Sequence, residues 1–190
     1  MDRRRFLTGA AAAGAAGLAG CGVLGGPREL RPAETIDQDR EQHLRYRTDG
    51  QRLATCSLDL GHYNPTGFDL DLHVAHREGT RVTGVTCHVR APAGKPGVGA
   101  GLYLEAPQAE WPPVTFHQTR DGSAEVVSVE DLGELGDGTV TLGFDVRPVE
   151  EYRPYPVAVD WAVALSETGL FGAGYRLTGR SRVDLPVSGQ

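Results

Sequence analysis

Asp69, Asp71 and His73 stand at i, i+2 and i+4, so on an extended chain all three project from one face. Two carboxylates and an imidazole so placed could hold Zn²⁺ or a similar ion, with His62 or His117 completing the shell. That would make the chain a metal carrier or a metal-dependent enzyme. The same alternation is also what a solvated sheet face produces when Leu70, Leu72 and Val74 line the buried side. In this reading Phe68 is left outside the apolar set, and His76, of opposite parity to His73, is not counted with the three. The alternation alone accounts for the pattern, so the solvated face is the preferred expectation and no cofactor is expected.

Other residue types with chemical reach carry less. Cys56 and Cys87 fall on the apolar sides of their segments. As a disulfide they would close a loop of about 30 residues and contribute roughly 3 kcal/mol; the alternative is two separate buried thiols. The disulfide is the expectation. Blue copper needs a Cys between two His, usually with an axial Met, but the only methionine is Met1. The acidic turn of Glu130, Asp131, Glu134 and Asp137 lacks the ligand rhythm of a Ca²⁺ loop. Arg176, Arg180 and Arg182 share a face and suit either an anionic ligand or local ion pairs. Trp111 in Glu110–Pro113, and Tyr152, Arg153 and Tyr155 in 152–156, sit beside prolines, and rigid aromatics on such loops suit recognition. Gly-Lys at 94–95 is followed by Pro96 where a phosphate loop needs Ser or Thr. Neither Gly-x-Ser-x-Gly nor His-Glu-x-x-His occurs. With no nucleophile–base pair, an enzymatic reading has no residue to stand on.

The elements that must position these residues are strands. Period-two alternation runs through 53–60, 68–76 and 81–90, then Leu102/Leu104, Val140 to Val146, Val157 to Leu165 and Tyr175 to Val187. Gly, Pro and Asp-Gly separate the runs, and a short helical turn near 37–45 is the one exception. About 8–10 such strands predict an all-β sandwich over residues 43–190, behind a flexible tether over 21–42. The phrase from Val129 to Val140, a Leu before a Gly turn and an alternating strand, resembles a connection common in immunoglobulin-like extracellular domains. A folded part of about 150 residues is too small for a two-lobed solute-binding protein.

Residues 1–20 read as an export signal. Arg3 and Arg4, followed by Arg5, Phe6 and Leu7, resemble the twin-arginine (Tat) motif. Leu18-Ala19-Gly20-Cys21 resembles a lipobox, in which the Cys is lipidated and becomes the mature N-terminus. Together they are similar to the leaders of Tat-exported lipoproteins, above all those of halophilic archaea. The resemblance implies a domain folded before export by the Tat translocon, then lipid-anchored through Cys21 on the extracytoplasmic side of the cell membrane. An uncleaved membrane-spanning segment is the alternative. One lysine, Lys95, stands against 18 arginines in this chain of net charge −6. Asp2, Arg3, Arg4 and Arg5 contribute +2 of that, which leaves the remainder near −8. Such a charge argues against nucleic acid or anionic lipid as the main partner. The expected role is a binding or structural surface module, with a surface protein or glycan as its partner.

Overall fold

The computed structural model describes residues 26–38, 41–64, 67–90, 101–104, 114–122, 124–147, 155–169 and 172–185. Twelve strands lie among them: β1 (Arg28–Leu30), β2 (Glu34–Gln38), β3 (Glu41–Thr48), β4 (Gln51–Asn64), β5 (Gly67–His76), β6 (Thr80–Arg90), β7 (Gly101–Leu104), β8 (Val114–Gln118), β9 (Glu125–Glu130), β10 (Val140–Arg147), β11 (Tyr155–Glu167) and β12 (Gly174–Leu185). They form two six-stranded sheets, ordered β1-β12-β11-β6-β9-β8 (sheet A) and β2-β3-β4-β5-β10-β7 (sheet B). The fold is an all-β sandwich, as the alternation predicts.

Alternation decides which face is buried. Leu70, Leu72 and Val74 of β5 are fully buried, and Phe68, which has the same parity, is buried with them. It belongs to the apolar set from which the sequence reading left it out. Sheet A contributes Val85, Cys87 and Val89 from β6 and Val157, Val159, Trp161, Val163 and Leu165 from β11. Backbone groups are paired along the ladders, so each sheet buries a side-chain face without stranding polar main chain.

The N-terminal part departs from expectation in three ways. β1 and β2 lie within the segment read as a tether, with β1 parallel to β12 in sheet A and β2 antiparallel to β3 in sheet B. The turn expected near 37–45 is instead the β2–β3 pairing, Glu34 opposite Arg45 through Gln38 opposite Glu41. The strand count therefore exceeds the 8–10 predicted. Charged, weakly alternating segments such as Glu34–Gln38 hide as edge strands, because only one flank pairs and little side chain is buried.

β3 and β4 meet in a tight hairpin at Asp49 and Gly50, with φ of 50° and 76°. Positive φ at both central residues is what a hairpin turn matched to the strand twist requires, and Asp-Gly is suited to it. The connection from β9 to β10 passes from one sheet to the other. It runs through buried Leu132 and a 3-10 turn, Gly133–Gly136, the only helical element among the described residues.

The two sheets interlock around Trp161. This residue pairs with Cys87 on one side and Gly179 on the other. A Cβ on Gly179 would lie 2.6 Å from the indole ring, so the glycine is a notch that admits it. From the facing sheet, the Tyr46 hydroxyl donates to the Thr178 carbonyl at 3.1 Å. The substitution Gly179→Ala should force the ring from its place and destabilise the fold by about 1–3 kcal/mol. Urea denaturation followed by Trp161 fluorescence will read this, and a midpoint shift under a tenth of the wild-type value would contradict the notch.

Candidate functional site

The outer face of sheet B brings Asp69, Asp71 and His73 together with residues from neighbouring strands. Asp71 lies opposite Asp59, which in turn lies opposite Glu41, and Asp69 lies opposite Asp145. His73 is level with Ser57 and Thr141, and its Nδ1 is 2.9 Å from the Thr141 hydroxyl. The result is an acidic band across four strands. Burial, reinforced by Asp59 and Asp69 and opposed by His73, raises the Asp71 carboxyl above its ordinary value.

This band is not a metal site. Among the described residues, no three His, Cys, Asp or Glu side chains are arranged to hold an ion. Asp69, Asp71 and His73 share a face of β5 but belong to no such group. His117 belongs to β8 in the other sheet, and the His62 side chain lies outside the described residues. The expectation that Asp69, Asp71 and His73 could form a metal centre is thus corrected.

The Cys56–Cys87 disulfide is corrected too. Both residues are free, fully buried thiols. Cys56 lies on β4 of sheet B and Cys87 on β6 of sheet A. Each thiol fills apolar core beside Trp161 and is left unbonded, as small buried thiols commonly are. Burial pushes the Cys56 thiol up to about 12, with Trp161 opposing part of the rise. Burial, then the neighbouring Cys56, pushes Cys87 up to about 12 as well. The Trp161 Nε1–H finds no acceptor at hydrogen-bond geometry, although it lies near the Tyr46 hydroxyl and Cys56 thiol. These cysteines are protonated core residues rather than nucleophiles.

On the outer face of sheet A, Asp160 accepts from both Arg90 and Arg180. Burial alone would raise the Asp160 carboxyl, but these two guanidiniums outweigh it and hold the group below its ordinary value. Of the trio Arg176, Arg180 and Arg182, Arg180 is thus tied into an ion network with Asp160 and Arg90. The acidic turn is also tied down, with Asp137 held by the Arg81 guanidinium through two contacts of 2.7 Å. His76 has its own task, donating from Nε2 to the Gly136 carbonyl at 3.0 Å while Nδ1 meets the Thr80 hydroxyl at 2.9 Å. Gly136 is packed so closely that a Cβ would sit 1.9 Å from the Val82 carbonyl oxygen.

Trp111, Tyr152 and Arg153 lie outside the described residues, as do Arg3, Arg4, Phe6, Leu7 and Cys21. Tyr155 begins β11, opposite Leu185. The sequence reading missed Arg47 and Arg52, which face each other across the β3–β4 hairpin. The signal was available in Arg47-Thr-Asp-Gly-Gln-Arg52, where an Asp-Gly turn folds two arginines together.

Fold and surface define a two-sheet β-sandwich protein with an acidic face on one sheet and an arginine-bearing face on the other. More particularly, the chain belongs to the family described as Domain of unknown function (DUF8121), whose model matches residues 29–187. No curated protein matches the chain. Among solved structures, it is similar to the collagen-binding domain from a Staphylococcus aureus adhesin (TM-score 0.40, 9% identity, covering 67% of this chain and 95% of that one). It is also similar to the GAE domain of GGA2p from Saccharomyces cerevisiae (0.37, 9%, 76% and 98%). The human F-spondin reeler domain overlaps as well (0.35, 11%, 64% and 80%).

Two outcomes follow from these surfaces. A thiol reagent should label neither Cys56 nor Cys87 in the native protein and both in denaturant without prior reduction; a two-dalton mass gain on reduction would restore the disulfide. Asp71→Asn should stabilise the fold near neutral pH by a few tenths to about 1 kcal/mol, the scale of a cross-strand pair. Because the folded-state Asp71 carboxyl is raised, it takes up its proton early as pH falls, so the variant's advantage shrinks on acidification. Paired denaturation curves across the carboxylate range will test the sign, and an advantage that grows toward acid would refute the assignment.

Proposed function

We propose that the chain is a lipid-anchored extracytoplasmic protein whose sandwich serves as a binding or structural module at the membrane surface. The observation that carries this reading is the distance from the lipobox cysteine to the fold. Cys21 precedes the first strand residue, Arg28, by seven positions. At 3.3–3.6 Å per residue, that segment spans at most about 25 Å. An anchor at Cys21 therefore holds the domain close to the bilayer, which is shorter than the long tether the sequence reading drew. No helix among the described residues is long and apolar enough to cross a membrane.

The sandwich has two ends, and the chain enters at one. Arg28 lies beside Tyr175, near the start of β12, and its guanidinium donates to the Thr48 hydroxyl at 3.2 Å. The Asp49–Gly50 turn and the pairing of Glu167 with Thr80 share that end. The opposite end holds Arg90, Arg147, Tyr155 and the Gln118–Glu125 pair. An anchored domain would offer that end outward to a surface protein or glycan.

Denaturing mass spectrometry of the protein purified from its own membranes tests the anchor. The expected species begins at Cys21 and carries the added mass of lipid, and Cys21→Ser should shift the protein from membrane to soluble fraction. An unmodified chain that keeps Arg3 and Arg4 would refute the reading.

A further inference from the structure

The end at which the chain enters also carries the two arginines that face each other across the hairpin. Arg47 and Arg52 are paired in register and both exposed. Like charges directly opposite on a sheet are unfavourable. Neighbouring arginines have counter-charges: Arg45 reaches Glu34 at 3.2 Å, Arg28 reaches Asp49 at 3.8 Å and Arg77 reaches Glu167 at 3.1 Å. Among the described residues, no carboxylate stands in ion-pair range of Arg47 or Arg52. Beside them opens a cavity of about 360 Å³, lined by Arg52, Thr55, Ala75, His76, Arg77 and Glu78.

The place of this pair in the fold selects its ligand. Arg28 bonds to Thr48, the residue next to Arg47, so the hairpin and the entry point of the anchor segment are one location. The segment from Cys21 to Arg28 spans at most about 25 Å, so an anchor at Cys21 lets that location meet the bilayer surface. We propose that Arg47 and Arg52, with the adjoining cavity, bind the phosphate of an anionic lipid headgroup in the membrane that holds the anchor. This rests on the lipid-anchor reading above. Guanidiniums match phosphate oxygens through paired N–H donors and keep their charge at any physiological pH. The rest of the chain is acidic, so an anionic bilayer repels most of its surface and accepts it where the arginines lie. The pair thereby orients the sandwich, with the Arg147–Tyr155 end away from the membrane.

The test uses a chain of residues 22–190, which contains every described strand and omits Arg3, Arg4 and Arg5. Vesicles of phosphatidylcholine, with and without a third of phosphatidylglycerol, serve as probes at low ionic strength. The protein should cosediment with the anionic vesicles and much less with the neutral ones. Arg47→Gln/Arg52→Gln should weaken that partition by roughly fivefold per arginine while leaving the melting temperature unchanged or higher. Arg120→Gln/Arg147→Gln, an equal loss of charge at the opposite end, should leave it largely intact. Equal binding to both vesicle types, or equal loss in both double variants, would overturn the proposal. So would millimolar inorganic phosphate that displaces the protein from vesicles through the same two arginines, since the site would then serve free phosphate. The mass at Cys21 reports on the anchor and the vesicle partition on the arginine pair, so either can fail alone.

Discussion

The sandwich depends on how two twisted sheets close over a dry interior, and Trp161 fixes that closure. Its indole is too large for a regular ladder position, so the neighbouring strand gives up a side chain at Gly179 to admit it. Tyr46 then crosses from the facing sheet to the Thr178 carbonyl, one residue away from the notch. Cys56 and Cys87 complete the surroundings as neutral thiols, which is how small buried groups behave when no water or counter-charge reaches them. Packing at this point sets the register of β11 and β12, and with it which side chains of sheet A face outward.

Outward faces of the two sheets differ in how they balance charge. Sheet A neutralises locally, with Asp160 held between Arg90 and Arg180. Sheet B accumulates Asp59, Asp69, Asp71 and Asp145 in adjacent positions, and burial, with Asp59 and Asp69 adding to it, raises the Asp71 carboxyl. At the entry end of the same sheet, Arg47 opposes Arg52. A sheet face thus runs from opposed cations at one end to opposed anions further along, an arrangement that favours one orientation beside a charged surface.

The entry end is also where the sheets are tied to each other. Arg77 and Tyr175 both reach Glu167, at 3.1 and 2.9 Å, and Thr168 N–H donates to the Gly79 carbonyl at 2.8 Å. Arg28 adds its bond to Thr48. The Arg28 bond thereby joins β1 of one sheet to β3 of the other.

How much of this was legible in the sequence follows from the range of each interaction. Alternation is local, so Leu70, Leu72 and Val74, Val157 to Leu165, and the all-β class could be read directly. The resemblances to an export motif around Arg3 and Arg4 and to a lipobox at Cys21 rest on contiguous residues that need no fold to be compared. Edge strands β1 and β2 could not be read, because they bury little and are strands only by virtue of the partners beside them. Whether Cys56 and Cys87 join, and whether neighbouring strands bring a further ligand to Asp69, Asp71 and His73, are questions of distance between residues far apart in the chain. The tertiary structure answered them, leaving both thiols free in the core beside Trp161 and surrounding the carboxylates with more carboxylates.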